Sequence, residues 1–459
     1  MSCWKSLKTK CQNQRNRRGE KAVFEKLSNI LVPIAGKLNN NRYLGVLRDA
    51  FMLAFPLTIF GSIIVVLTNL PFLDKMMSKS ALEAFQSALS IAPSATINIM
   101  SVFVVFGIGY YLSKSYEVEA VFGGVVALAS FLVLTPFILN SEGGETIANV
   151  IPVDRLGAKG MFLGMITAFT SAEIFRFFVQ KNYTIKMPAG VPPAVSKSFA
   201  ALIPAVMTLS VYLIINIMIT QAFSTNMHDL IYNLVQAPLV GLGSGIIPTL
   251  IAIFFTQLLW FFGLHGQIII NSVMDPIWNT LSLENLNSYT ATGEMPHIIN
   301  KQFMEVYTVG MGGTGMTLAV IIAILLFMRS KQMKQVAKLG AAPGIFNVNE
   351  PIIFGLPIVM NPLIIIPWVV SPMVVTLITY FAMASGLVPP PTGVTIPWTV
   401  PIFISGMMAT NSLAGGILQI VNLAVVFAIW FPFLKFIDRM NLKKEQEINV
   451  PDQNKTIGL

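Results

Sequence analysis

The stretch NVNEPIIFGLPIVMNP, residues 347–362, sets a single carboxylate among prolines, a glycine and an otherwise apolar run. Glu350 is the last charged residue before Lys435, so more than eighty uncharged residues follow it. An apolar run of that length belongs in a bilayer. Each interior proline, however, removes a helical hydrogen bond and clashes with the preceding turn. Irregular backbone at membrane depth is tolerated only where protein or a watery cavity satisfies its polar groups. The stretch therefore predicts a re-entrant element that lines a cavity and carries a carboxylate into it.

Composition extends this reading to the whole chain. Of 459 residues, 54% are hydrophobic and 11% charged, and the mean hydropathy is +0.70. Soluble domains carry roughly a quarter charged residues. A single soluble core is thereby excluded, and an all-α polytopic membrane protein is expected. The net charge of +9 is not a nucleic-acid footprint. Eleven of the 30 Lys+Arg residues precede residue 49, and most others sit in short connections such as Arg329, Lys331, Lys334 and Lys338. Cationic loops of this kind stay on the cytoplasmic side. The start, MSCWKSLKTKCQNQRNRRGE, has no apolar core and so is no signal peptide. Residues 1–21 are expected to form a disordered basic cytoplasmic extension. Cys3 and Cys11 lie in it without histidine neighbours, a poor zinc pattern, and a reducing compartment argues against a disulfide.

A helix needs about 20 apolar residues to cross the hydrocarbon core. Candidate crossings are 50–70, 97–113, 120–140, 158–179, 199–222, 245–263, 266–282, 307–328, 363–386 and 414–434. Ten crossings with both termini inside place Lys114, Arg176 to Lys197, Arg329 to Lys338 and Lys435 to Lys444 in the cytoplasm. They also place the acidic 141–157 loop outside. Segments 341–360 and 395–412 are too short or too broken to span, and are expected as hairpins dipping in from the cytoplasm and from outside respectively. The spans before residue 225 are regular, whereas prolines, glycines and asparagines crowd those after it. The domains expected are a bundle with the dimer interface at 22–225, a substrate-handling domain at 226–440 and a cytoplasmic tail at 441–459.

Few polar groups lie within these spans. An ionised centre in a membrane helix costs about 2.5–3.5 kcal/mol on insertion scales, so Glu350 is a functional candidate by default. It is either a structural plug satisfied by hairpin amides or an acceptor for two vicinal hydroxyls. Asn347 and Asn349 beside it offer donors and acceptors, a combination that suits a sugar. His265, in WFFGLHGQ, sits between Gly263 and Gly266, which permit close backbone approach. Its imidazole can hydrogen-bond a hydroxyl or accept its proton. His228 and His297 occupy polar connections, where solvation is expected. Trp368 is assigned to the interfacial aromatic belt, and Trp398 either to that belt or to stacking on a pyranose face. GMGGTG, residues 310–315, precedes a membrane span and not a soluble helix, so a dinucleotide site is excluded. Its glycines are expected to let helices pack closely. No metal-ligand spacing, Walker motif or serine triad is present, and no cofactor is expected.

Three stretches together resemble one family: NRYLGVLRDAFMLAFPLTIFGSI (41–63), WFFGLHGQ through VMDPIW (260–278), and FNVNEPIIFGLPIVMNP (346–362). MPHIINKQFMEVYTVGMGGTGMTLAVI (295–321) also fits. The family is the membrane (IIC) component of phosphoenolpyruvate-dependent sugar phosphotransferase systems, of the lactose/cellobiose type. The resemblance implies a multi-pass homodimer in a bacterial cytoplasmic membrane. It implies a β-linked disaccharide such as cellobiose or diacetylchitobiose, phosphorylated on its 6-hydroxyl during uptake. Glu350 and His265 would then hydrogen-bond the sugar near that hydroxyl as the catalytic pair, and Trp398 would stack on it. Gln267, closing the WFFGLHGQ motif, joins Asn347 and Asn349 as substrate-binding residues. The phosphoryl donor of such systems is a phosphocysteine on a IIB domain, fed by IIA. Neither Cys3 nor Cys11 has the setting for it, so IIB is expected as a separate cytoplasmic partner. Two other classes fit the residues: an ion-coupled secondary transporter using Glu350 as its titrating carboxylate, and a membrane-embedded enzyme acting on lipid-linked substrate.

Overall fold

The computed structural model describes residues 40–68, 73–140, 146–188, 190–356, 358, 361 and 363–448, with Pro33 and Lys37. The extension 1–21 with Cys3 and Cys11, and the tail beyond residue 448, lie outside the described residues. Among the described residues six helices are long and apolar enough to cross a membrane, or seven if Met227–Gly243 and Ile246–Phe261, bent by 71°, form one span. Each of the ten expected crossings coincides wholly or partly with helix, but several differ from a simple span. The 120–140 segment ends as helix at Leu134, and Ile138–Asn140 pairs antiparallel with Thr146–Ala148. The 307–328 segment is irregular until Thr317 and helical only over Thr317–Phe327. The 266–282 segment runs on to Thr292. Residues 441–448 belong to the last helix and not to a separate tail.

The N-terminal bundle comprises α1 (Arg42–Thr68), α2 (Lys79–Leu89), α3 (Met100–Ser115), α4 (Ala120–Leu134), α5 (Met161–Gln180) and α6 (Pro193–Phe223). Val104, Ile108 and Leu112, at helical spacing on α3, are buried against Ala127 and Phe131 of α4 and Ala168 of α5. In bilayers such interfaces rely on small residues that let backbones approach. A Cβ on Gly109 would lie 2.5 Å from the Ala127 Cβ, and one on Gly123 would collide with the Ser113 hydroxyl. On α6, Leu202, Val206, Leu213 and Ile217 are each about half exposed, an apolar face of the kind that meets lipid.

The second half comprises α7 (Ile246–Phe261), α8 (Gly266–Thr292), α9 (Thr317–Phe327), α10 (Lys331–Ile345), α11 (Glu350–Gly355), α12 (Ile365–Ala384), α13 (Ile404–Thr410) and α14 (Leu413–Ile448). The expected 341–360 hairpin begins earlier than its prolines suggested. Pro343 is accommodated inside α10, which turns at Asn347 (φ +64°) into the short α11. In the 395–412 hairpin an extended limb folds back on α13, with Thr392 N donating to Ala409 O at 2.8 Å. Thr395 N also donates to Ser62 Oγ of α1 at 2.6 Å, joining this hairpin to the first bundle.

The long α14 holds both hairpins. Near its start the buried Gln419 accepts from Phe403 N and Gly406 N, each at 2.7 Å, and donates to Val306 O at 2.7 Å. Near its end Asp438 accepts from Arg329 N and Ser330 N at 2.9 and 2.8 Å. Glu445 accepts from Ser330 Oγ at 2.7 Å. These carboxylates serve orphan amides before and within the first turn of α10. Two expectations about side chains are overturned. His228, expected in solvent, is buried with Nε2 2.9 Å from Thr135 Oγ1, and His297 pairs with Glu284 at 2.7 Å. Trp368, expected in the interfacial belt, is fully buried and donates to Gln257 O at 3.0 Å.

The close approach of α3 and α4 generates a stability prediction. Gly123→Ala should lower the thermal stability of the solubilised protein, since overpacking a tight contact costs about 1–3 kcal/mol. Gly45→Ala, at a helical glycine whose added Cβ would meet nothing within 4 Å, should leave stability unchanged or slightly raised. Equal unfolding temperatures for the two variants would contradict the packing argument.

Candidate functional site

Three non-helical segments converge where the second half leaves helical geometry. The first is GMGGTG. Gly312, Gly313 and Gly315 take φ of +68°, +80° and +72°, a region open to glycine at little cost. The glycines thus form a turn, and not the helix-packing face expected from sequence. A Cβ on Gly313 would lie 2.6 Å from the Asn349 Cγ, and one on Gly315 would collide with the Trp368 indole. The loop is therefore closed between the α10–α11 turn on one side and a buried tryptophan on the other.

Asn347 ties the second and third segments to it. Its Oδ1 accepts from Gly312 N at 2.9 Å, and its Nδ2 donates to Trp398 O at 2.6 Å and Val400 O at 2.9 Å. Asn349 donates from Nδ2 to Thr314 O and to Thr317 Oγ1 at 2.9 Å. Both asparagines are buried. Their donors are spent on protein, and with them the hairpin tip 346–349, the glycine loop and the TIPWTV segment are held as one body. Glu350 follows directly as the first residue of α11, and its side chain lies outside the described part of the structure. The Trp398 side chain is about half exposed.

The α7–α8 break supplies the remaining groups. Gly263 (φ +78°) turns the chain, and a Cβ on Gly266 would collide with Thr256 O, so the helices meet as closely as the flanking glycines suggested. His265 caps α8: its Nδ1 accepts from Ile268 N at 3.4 Å, and its ring lies against Trp260 at 4.3 Å between centroids. An acceptor at Nδ1 leaves the proton of the neutral ring on Nε2. In the first turn of α8, Gln267 accepts at Oε1 from Thr314 Oγ1 at 3.4 Å and donates at Nε2 to Glu305 Oε2 at 3.2 Å. Thr314 thus bridges the two groups of expected site residues, because its carbonyl also receives Asn349. His265, Gln267, Asn347, Asn349 and Trp398 are brought together, and the α11 start that bears Glu350 adjoins them.

Sequence reading missed the charged groups beside Gln267. Lys301 Nζ lies 2.6 Å from Asp275 Oδ1 and 2.9 Å from Glu305 Oε1, and Asn271 Nδ2 is 3.4 Å from Glu305 Oε1. The available signal was the spacing of Gln267, Asn271 and Asp275, which recur every four residues in the first half of α8 and so share one face. Among the described residues no cluster of His, Cys, Asp or Glu is arranged to hold a metal ion.

The chain is similar to known proteins at the level of family, sequence and solved structure. The family model for "Phosphotransferase system, EIIC" matches residues 48–372. The "PTS system oligo-beta-mannoside-specific EIIC component" of Bacillus subtilis (strain 168) is 76% identical over 425 residues, covering 93% of this chain and 96% of the relative. The "PTS system cellobiose-specific EIIC component" of Geobacillus stearothermophilus is 41% identical over 430 residues, covering 92% and 95%. The crystal structure of ChbC, the IIC component of the N,N'-diacetylchitobiose-specific phosphotransferase system, matches with a TM-score of 0.87. It is 40% identical and covers 92% of this chain and 99% of that one.

The Asn347 tie is directly testable. Asn347→Gly tolerates the positive φ but removes all three hydrogen bonds, and should cost about 2–3 kcal/mol at roughly 1 kcal/mol per bond. Asn347→Ala should cost more, because alanine also strains at φ > 0. Thermal unfolding of the purified variants measures both. Wild-type stability in Asn347→Gly would mean that the three segments are held by something else.

Proposed function

The chain belongs to the EIIC family of the phosphotransferase system, and from that premise we propose how it handles its sugar. It binds a β-linked disaccharide, carries it across the cytoplasmic membrane and presents the 6-hydroxyl to a phosphocysteine on a separate cytoplasmic IIB protein. The observation that carries this reading is the junction at Asn347, which gathers the start of α11, the glycine loop and the Trp398 segment beside His265 and Gln267. In this site Glu350 accepts hydrogen bonds from sugar hydroxyls, and His265, with its proton on Nε2, donates to a hydroxyl oxygen. Trp398 offers an exposed ring face. Asn347 and Asn349 act mainly through the backbone they hold, which shapes the cavity around the sugar.

The high identity to the oligo-β-mannoside component, 76%, favours a β-mannoside over cellobiose or diacetylchitobiose. Relatives matched over nearly their full length are named as EIIC components alone, in keeping with a separate IIB. The working assembly is a homodimer with ten crossings and both termini inside. Loop charges support that topology, since the basic connections 176–197 and 329–338 then share one side.

Two experiments test this reading. Vesicles carrying the protein, supplied with the upstream components and labelled β-1,4-mannobiose, should accumulate the sugar phosphorylated. Accumulation of free sugar would favour an ion-coupled carrier instead. In the same vesicles Glu350→Gln should weaken sugar affinity roughly 10- to 100-fold, since losing a hydrogen bond to a charged group costs about 1.5–3 kcal/mol. Unchanged affinity in a folded variant would remove Glu350 from the site. For topology, a cysteine at residue 150 should react with an impermeant thiol reagent from outside and one at residue 190 should not. Outside labelling at 190 would overturn the ten-crossing arrangement.

A further inference from the structure

The helix α10 has one side packed and another left free. Its buried residues, Met333, Ala337, Gly340 and Gly344, recur at spacings of three and four and so share one side. A Cβ on Gly340 would lie 2.5 Å from Ile352 Cδ1, and one on Gly344 2.6 Å from Ile321 Cδ1. That side is therefore closed against α9 and α11. Lys331, Lys334, Lys338 and Ile345 recur at spacings of three, four and seven along a different side. Lys331 and Lys338 are exposed, Leu339 next to them is 75% exposed, and Ile345 and Phe346 are about half exposed. In the topology proposed above this face starts in the cytoplasm. It ends at Phe346, one residue before Asn347 and four before Glu350.

The free face carries positive charge with little to offset it. Lys331 has Glu445 nearby, whose carboxylate accepts from the Lys331 backbone amide at 3.3 Å. Lys334 and Lys338 pair with no carboxylate among the described residues. A phosphoryl group carries up to about two negative charges near neutral pH. The lysine beside the site, Lys301, is already held between Asp275 and Glu305, so a dianion approaching from the cytoplasm meets its free cations on α10. Lipid is the poorer occupant. A helix lying on a bilayer puts its apolar face into the acyl chains, but the apolar side of α10 is spent on α9 and α11. What remains is Leu339 among Gln332, Gln335 and the lysines, an apolar contact with a polar rim of the kind that protein interfaces use.

We propose that this face of α10, centred on Lys334, Lys338 and Leu339, docks the phosphorylated IIB protein. The lysines steer the phosphocysteine dianion toward the hairpin tip, and Leu339 anchors the protein that carries it. Ile345 and Phe346 continue the contact to the turn at Asn347, beside the start of α11 that bears Glu350. Lys334 and Lys338 act on the encounter with the donor and not on the sugar. The proposal rests on the phosphotransfer reading above.

The test is initial-rate phosphotransfer to labelled β-1,4-mannobiose by the full-length protein in nanodiscs. The phosphorylated IIB protein of an oligo-β-mannoside system is titrated as donor. Lys334→Gln combined with Lys338→Gln should raise the KM for this donor roughly tenfold at low salt, and Leu339→Ala should raise it about fivefold. In both variants kcat at saturating donor and the equilibrium sugar affinity should stay within about twofold of wild type. Raising the ionic strength from about 0.01 to 0.15 M shortens the screening length from about 30 to 8 Å. That change should raise the wild-type KM and leave the double-lysine variant nearly level. Lys181→Gln, at an exposed lysine of the first half, should behave as wild type. An unchanged KM in either α10 variant, or a parallel loss of sugar affinity, overturns the docking face. A KM effect present in phosphatidylglycerol nanodiscs and absent in phosphatidylcholine ones assigns the face to lipid and overturns it too. A wild type that yields no sugar phosphate ends the parent reading and the docking together, whereas transfer at wild-type KM in every variant ends the docking alone.

Discussion

Within a bilayer there is no solvent to take up a peptide group that leaves a helix, and an unsatisfied group costs several kcal/mol. The second half of this protein leaves helical geometry at the α7–α8 break, in the glycine loop, at the α10–α11 turn and in the extended limb before α13. Side-chain amides answer the constraint. Asn347 serves one amide and two carbonyls from two other segments, and Gln419 serves two amides and a carbonyl. Carboxamides suit this work because each supplies two donors and an acceptor without a charge to desolvate. The irregular backbone of these segments is held in place by these side chains.

This division of labour separates what was legible in the sequence from what was not. The apolar runs and loop charges located helices throughout, because hydropathy and length are properties of contiguous residues. The two broken segments were equally visible, since prolines and glycines clustered in an apolar run interrupt a helix whatever surrounds it. Partners were not visible. The chemistry of Asn347 and Asn349 alone points to sugar binding, yet their donors go to acceptors 32 to 53 residues away. Trp368 misleads for the same reason: a tryptophan in a span has no sequence mark telling a lipid headgroup from a glycine loop. The Asp275–Lys301–Glu305 group escapes because its members come from different segments, and a lone charge near a span end looks like an ordinary loop residue.

Charge is distributed unevenly between the two halves of the described structure. In the first bundle some ion pairs, such as Lys159 with Asp154 and Lys197 with Glu119, are largely exposed and contribute little to stability. In the second half Lys301 and its two carboxylates are mostly withdrawn from solvent beside the site. Removing one member there would leave an uncompensated charge, which is far more costly than losing an exposed pair. Substitution at these exposed pairs is therefore better tolerated than substitution within the Lys301 group.

The continuity of α14 has a mechanical consequence. It is one helix of 36 residues, about 54 Å long at 1.5 Å per residue. Gln419 near one end grips the turn before α13, and Asp438 and Glu445 near the other grip the root of α10. The helix thus ties the turn before α13 to the root of α10, with Pro432, which removes a helical hydrogen bond, lying between the two fastenings. Because Asn347 also donates to Trp398 O and Val400 O, a displacement that keeps these bonds moves the two hairpins together. Relative sliding of one hairpin against the other would first have to break them.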